Sequence, residues 1–313
     1  MQPESFSPLS QSGTPREPLR SITDEPSLAT LALPPRASHT TPINIAAIVD
    51  IRDLLNRDLD LAMSLIDRGF EIYCDCFQDP SERSSKETLI EFSKNPAHNW
   101  RMYLALDADG TVIGGRHVAI MTTTINGVPV PFAWGEHLYV HTDPQYRRHG
   151  LGSQMVEETN KLLPHFGVGL VFSEQNDPHL MTETEIAEDT KSGITPLDRL
   201  TFWQKLGYRT INAPYAQPSL EDDRNPVWYL QPCFKVVEPA IIPAAVTITD
   251  SSIGREAYLA LIRCFHSTFV NNIEEDPTSK YLHRLIASGP ETLSVIDLKA
   301  PRTFHQVRID LAE

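Results

Sequence analysis

Residues 136–163 read EHLYVHTDPQYRRHGLGSQMVEETNKLL, and the fold turns on them. The first six residues end a strand that starts near Val130 and runs to His141. A short polar loop leads into Arg147, Arg148, His149, Gly150, Leu151, Gly152 and Ser153. Met155, Val156, Thr159, Leu162 and Leu163 recur at helical spacing, and Pro164 stops the helix. A glycine-rich turn at a helix N-terminus is an anion site. The first N–H groups have no partner inside the helix, and the helix dipole favours negative charge. Glycine permits positive φ and lets a phosphate approach the backbone, while the two arginines add cationic donors. The dinucleotide fingerprint needs a third glycine where Met155 stands, and the triphosphate loop needs a Gly-Lys pair that the chain lacks.

The flanking sequence gives this turn its setting. Ile43–Val49 suits a strand, and Asp58–Phe77 carries Leu59, Met63, Ile66 and Phe70 at spacings of a helix. A second helix is expected from Ser81, as N-cap, to Lys94. The period then changes to two. Trp100–Leu106, Thr111–Thr124 and Val130–His141 read as an antiparallel meander, joined by a turn at Asp107–Gly110 and an Asn126-Gly127 hairpin. Beyond the central helix, Val168–Ser173 is a short strand, and a polar, acidic loop fills Glu174–Ile194. A helix from Pro196 places Leu197, Leu200 and Trp203 on one face and ends at Gly207. Tyr208–Ile211 and Val227–Leu230 read as closing strands.

Three regions follow. Residues 1–42, rich in Ser, Pro and Thr, read as a disordered tail. Residues 43–232 form the main α/β (α+β) domain. Residues 233–313 form an extension or small second domain, with helices near Gly254–Asn271 and Pro277–Ala287 and a strand at Thr292–Leu298. That last part offers a dimer surface or a cover for the site, and a homodimer stays open.

Composition excludes some classes. The 313 residues carry a formal charge of −14, which argues against a nucleic-acid partner. No apolar run is long enough to span a membrane, and the first 30 residues lack a signal-peptide core, so the cytoplasm is the expected location. Four scattered cysteines suit free thiols rather than a disulfide framework. His137, His141 and His149 do not form a zinc spacing. His179, near Glu183, Glu185, Glu188 and Asp189, reads as part of a solvated acidic segment, so no metal is expected.

The stretch from Glu136 to Gly152 resembles the core motif of the GNAT acetyltransferase superfamily: a strand, a loop, then Q/R-x-x-G-x-G/A opening a helix. Phe202-Trp203-Gln204-Lys205-Leu206-Gly207-Tyr208 is similar to the family's downstream motif, at a longer spacing than usual. The resemblance covers about residues 43–232. It implies a mixed, mostly antiparallel, splayed sheet flanked by helices, with acetyl-CoA as co-substrate. It assigns the pyrophosphate to the segment from Arg147 to Ser153, that is Arg147, Arg148, His149, Gly150, Leu151, Gly152 and Ser153. It assigns the pantetheine and thioester to the backbone of Leu138, Tyr139 and Val140. Asn176 and Trp203 are further cofactor contacts.

For chemistry, an alkylammonium must lose a proton, since only on the order of one part in 10³ is neutral at pH 7. Glu136 is the candidate base, in the register of the family's histone-type glutamate. Desolvation beside Trp134 is expected to raise its pKa. Glu174, ending the next strand, is the runner-up base. Trp203 stands where many members have an acidic tyrosine. The leaving thiolate is therefore unassisted, served by water, or protonated by Tyr208 or Tyr215. The expected reaction is direct acyl transfer to an amine of a small molecule. A protein amine, a longer acyl chain and a catalytically inert acyl-CoA-binding module stay open.

Overall fold

The computed structural model describes residues 30–32, 45–78, 80, 83–143, 146, 149–191, 193–218, 226–268, 270 and 272–303. In chain order the elements are β1 (Thr30–Ala32), β2 (Ala47–Asp50), α1 (Ile51–Leu55), α2 (Leu59–Cys76), α3 (Lys86–Lys94), β3 (Trp100–Leu106), β4 (Val112–Ile125) and β5 (Val128–Val140). Then come α4 (Leu151–Leu162), β6 (Leu170–Asn176), α5 (Glu183–Thr190), α6 (Pro196–Lys205), β7 (Arg209–Ile211) and β8 (Leu230–Val236). The chain continues with β9 (Ser252–Gly254), α7 (Arg255–His266), α8 (Pro277–Ala287) and β10 (Thr292–Ile296).

The strands form one mixed sheet in the order β1-β2-β3-β4-β5-β6-β8-β7-β10-β9. Every pairing is antiparallel except β5 with β6, which is parallel. The β4–β5 hairpin turns at Asn126 (φ 50°) and Gly127 (φ 77°), a pair of left-handed residues that matches the twist of the strands. The sheet does not stop with the motif-bearing region. β10 pairs with β7 and β9 with β10, so the C-terminal chain adds strands to the same sheet. β8 runs straight through the composition break at residues 232–233.

Helices cover both faces. Alternation along β5 sends Ala133 to a core built from α4 and α6, with Leu151, Met155, Val156, Leu200 and Trp203. Phe132 and Trp134 point the other way, into a core with Tyr258, Leu261 and Phe265 of α7. On that second face, α2 and α3 pack over β3 and the end of β5 through Ile66, Tyr73, Leu89, Trp100 and Tyr139. Ala119 of β4 touches both cores of this face. The face is thus roofed by α2 and α3 on one side and by the C-terminal α7 on the other.

Several local expectations are corrected. The N-cap of α3 is Ser85, whose side chain accepts from Thr88 N, and Ser81 lies outside the described residues. The acidic stretch is not a plain loop. Its first residues, Glu174–Asn176, extend β6, and Thr182 starts α5 with a reciprocal capping box to Glu185. Leu197 is 50% exposed, while Pro196, Leu200 and Trp203 are buried, because spacings of four and three hold one face better than three and three. Val227 makes only an isolated bridge to Gln217, and the strand begins at Leu230. Pro164 does not stop the chain's winding, which passes into a 3₁₀ turn at Leu163–Phe166.

Candidate active site

β5 and β6 pair over three residues only, Ala133–Gly135 against Val171–Ser173. Past that point β5 stays with β4 and β6 stays with β8, so the two strands fork. A β-bulge marks the fork. Gly135 faces Val118 and His137 faces His117, which leaves Glu136 as the extra residue. The bulge explains the aim of its side chain. Normal alternation past Gly135 is interrupted, and Glu136 and His137 both lean toward the α2 face.

On that face the Trp100 indole N–H donates to Glu136 Oε2 at 2.7 Å. The glutamate is accessible to solvent on one side and enclosed by protein on the others. Loss of surrounding water pushes its carboxyl up to about 7, partly opposed by the indole hydrogen bond. Trp134, expected to help desolvate Glu136, has aromatic neighbours of its own. Its ring stacks between Phe265, at 3.4 Å between centroids, and Phe172, at 5.7 Å.

Glu174 is the first residue of β6 beyond the fork, half-buried, on the same face. The Tyr215 hydroxyl donates to its Oε1. Burial pushes this carboxyl up to about 8. The tyrosine hydrogen bond works against that rise, and the nearby Glu136 charge adds to it. The fork thus brings together the two glutamates that the sequence offered as alternatives. Among the described residues, neither carboxyl has a salt-bridge partner.

An aromatic wall backs the site. Tyr73 O–H meets His137 Nε2 at 3.2 Å, and Tyr139 O–H meets His117 Nε2 at 3.1 Å. His117 is fully buried, and burial drives its pKa well below the ordinary histidine value, so it is neutral. Tyr139 therefore turns its side chain away from the fork, and only its backbone lies along β5. Leu138 and Val140 lean to the opposite face, toward α4.

α4 opens at Gly150, whose φ of 77° is left-handed and which supplies no side-chain cap. The helix has no acidic residue in its first turn, and Leu151, Gly152 and Ser153 carry its first N–H groups. Among the described residues, its chain neighbours aside, no atom lies within 4 Å of where a Gly150 Cβ would stand. Gly152 packs under Phe202 of α6, 3.5 Å from an added Cβ. His149 is exposed, and Arg147 and Arg148 lie outside the described residues.

The remaining candidates are dispersed. Asn176 donates to Asp189 Oδ1 of α5 at 2.9 Å. Trp203 is core, with its ring 4.8 Å from that of Tyr208. The Tyr208 hydroxyl lies in a buried network with Arg116 and Asn160, both at 3.4 Å, on the α4 face. It is thus on the far side of the sheet from the two carboxyls. Among the described residues, no group of three or more metal-ligating side chains is placed to hold an ion, and no helix is long and apolar enough to cross a membrane. Trp100 is the residue that sequence reasoning missed. It lies 36 positions from Glu136 and is brought there by β3–β4–β5 pairing, where Trp100 faces Ala119 and Ala119 faces Trp134.

Residues 60–173 match the model of an acetyltransferase (GNAT) domain family. No curated protein matches the chain by sequence. Among solved structures, an aminoglycoside 6'-N-acetyltransferase complexed with coenzyme A is similar at 16% identity and TM-score 0.40, covering 61% of this chain and 97% of that one. The aminoglycoside 6'-N-acetyltransferase from Enterococcus faecium is similar at 16% identity and TM-score 0.38, covering 56% and 93%. The ribosomal-protein-S18-alanine N-acetyltransferase from Escherichia coli is similar at 16% identity and TM-score 0.33, covering 61% and 93%. The family match runs from the first turn of α2 to Ser173, the last residue that pairs β6 with β5. It takes in the bulge, the fork and the glycine turn before α4 as one unit, so this stretch of the chain is what is similar to a GNAT acetyltransferase domain.

Proposed function

We propose that the protein is an acyl-CoA-dependent N-acyltransferase that moves an acetyl group from acetyl-CoA to a primary amine of a small molecule by direct attack. The observation that carries this reading is Glu136 at the fork. It is the bulged residue, it is open to solvent, and its carboxyl is raised to about 7. A base of that strength can take a proton from an ammonium near neutral pH, and the tryptophan hydrogen bond fixes its orientation. The left-handed turn at Gly150 and the N–H groups of Leu151, Gly152 and Ser153 are suited to the pyrophosphate. Backbone N–H groups of β5 past the bulge, at Leu138 to Val140, are suited to the pantetheine and to a developing oxyanion.

The acceptor reaches Glu136 from the face roofed by α2, α3 and α7. The absence of a cationic partner for Glu136 and Glu174 among the described residues favours a positively charged amine there. The exposed acidic residues Glu183 and Glu188 of α5 add to that bias.

The test is thiol release from acetyl-CoA by the full chain against a panel of amino acids and polyamines, with lysine peptides alongside. Turnover with a small amine is expected. Turnover with peptides alone overturns the acceptor class. Faster turnover with malonyl-CoA or a longer acyl-CoA overturns the acetyl assignment. Binding of acetyl-CoA with no turnover on any amine overturns the enzymatic reading.

A further inference from the structure

The fork holds two carboxyl groups, and acyl transfer needs two proton movements. Glu136 and Glu174 are the first residues past the last β5–β6 pair, one on each diverging strand, and both lean to the α2 and α7 face. They are close enough for the charge of one to raise the other. Two such neighbours do not both ionise near neutral pH; the group with the lower affinity gives up its proton and the other keeps it. Both carboxyls are raised, and Glu136 is exposed where Glu174 is half-buried and tied to Tyr215, so Glu174, the less hydrated of the two, is the one that stays protonated. A pair of titratable groups pushed apart in this way divides into a base and an acid.

The other donors are unsuited to protonating sulfur at the fork. Trp203 is an indole in the core, and Tyr208 is enclosed on the opposite face with Arg116 and Asn160. Tyr215 is fully buried, and burial raises its pKa far above the ordinary tyrosine value. Its hydroxyl is spent on Glu174 Oε1, which leaves Oε2 to carry the carboxyl proton. The segment bearing Tyr215 is fixed by the C-terminal chain. Tyr258 O–H donates to Pro214 O at 3.2 Å, Arg302 Nη1 to Ala213 O at 3.2 Å, and Asn212 Nδ2 to Thr303 Oγ1 at 2.7 Å.

We propose that Glu174 is the general acid that protonates the leaving sulfur, with Tyr215 as the residue that positions it. This rests on the reading of the reaction as transfer from a CoA thioester. Glu136 takes one proton from the ammonium and later releases it to solvent. The amine nitrogen bonds to the carbonyl carbon, the C–S bond breaks with its electron pair on sulfur, and sulfur takes the Glu174 proton. The nitrogen's surplus proton restores Glu174, and the third ammonium proton stays on the amide. The acid role that a tyrosine from α6 would fill is moved to β6, and the C-terminal chain becomes part of the catalytic apparatus by holding Tyr215.

The experiment compares acetyl-CoA with S-acetyl-5-thio-2-nitrobenzoate, an acetyl thioester whose aryl thiolate leaves without help. Hydroxylamine is the acceptor, because it is largely neutral at pH 7 and does not call on Glu136. Glu174→Gln is expected to slow thiol release from acetyl-CoA by roughly 10²-fold or more, and release from the aryl thioester far less. Tyr215→Phe removes a hydrogen bond that lowers the Glu174 pKa, so the alkaline limb of its rate profile moves to higher pH. An equal loss with both thioesters, no loss with acetyl-CoA, or an unmoved alkaline limb in Tyr215→Phe overturns the assignment. A wild-type protein that shows neither thermal stabilisation by acetyl-CoA nor thiol release overturns instead the transferase reading beneath it.

Discussion

Glu136 and Glu174 stand on either side of the point where β5 and β6 stop pairing, each held by one aromatic donor from a distant part of the chain. Trp100 reaches Glu136 from β3, and Tyr215 reaches Glu174 from the segment after β7. The site is therefore assembled from four stretches of chain around one fork, and each can be tested separately.

Glu136→Gln keeps the shape of the side chain and removes the base. Turnover of an alkylamine is expected to fall by roughly 10²–10⁴ with the fold intact. Steady-state rates alongside a circular dichroism melt check both halves. A near-wild-type rate would remove Glu136 from the mechanism.

The wild-type rate is expected to rise with pH through about 7, as Glu136 ionises, and to fall above about 8, as Glu174 does. The optimum is narrow because the two values are close. A profile of kcat/KM with an amine acceptor, corrected for ionisation of the amine, displays both limbs. A flat profile between pH 6 and 9 contradicts the pairing.

The same carboxyls leave a mark on stability. Their folded pKa values exceed the ordinary carboxyl value of 4.5, so the folded chain holds protons that the unfolded chain has lost between about 4.5 and about 8. Their contribution to stability declines as pH rises through that window. Glu174→Gln removes its share of that decline. The variant is expected to melt roughly 2–4 °C above wild type at pH 8, and to coincide with it near pH 5. Melting curves at the two pH values decide it.

Gly150 is left-handed at φ 77°, and among the described residues, its chain neighbours aside, nothing lies within 4 Å of an added Cβ. A non-glycine residue there costs about 1–2 kcal/mol from backbone conformation alone. Gly150→Trp is expected to fold with that loss and to fill the approach to the α4 N-terminus, abolishing acetyl-CoA binding. Isothermal titration with the cofactor gives the answer.

Tyr208 and Tyr215 separate structure from chemistry. Tyr208→Phe deletes one hydroxyl from the Arg116 network, and Arg116 keeps Thr159, Asn160 and the Val156 carbonyl. A loss of about 1 kcal/mol in stability with an unmoved pH profile is expected. Urea unfolding and rate profiles of the two phenylalanine variants set this beside the shifted limb of Tyr215→Phe.

Much of the fold was legible because it is local. The meander is written in alternation from Trp100 onward and in Asn126-Gly127. The helix after Gly150 is written in the spacing of Met155, Val156, Thr159 and Leu162. The fork itself was legible only by resemblance, since a bulge is a property of pairing and nothing in the sequence of β5 says that Val118 skips Glu136. α5 was missed because four of its eight residues are acidic and none of the eight is buried, which leaves no apolar period to find. Its capping residues, Thr182 and Glu185, were the available signal. The aromatic donors were out of reach for a different reason. Trp100 and Tyr215 lie 36 and 41 positions from the carboxyls they hold, and only the sheet order makes them neighbours.

The central claim is that the fork and the glycine turn before α4 hold an acyl-CoA. The most direct measurement is thermal unfolding of the full chain with saturating acetyl-CoA, with ATP as control. A ligand at 100 times its dissociation constant adds about 2.7 kcal/mol of stability. For a domain of this size that raises the midpoint by roughly 5–10 °C. The account predicts that rise with acetyl-CoA and none of that size with ATP. No rise with acetyl-CoA, or equal rises with both, would contradict it.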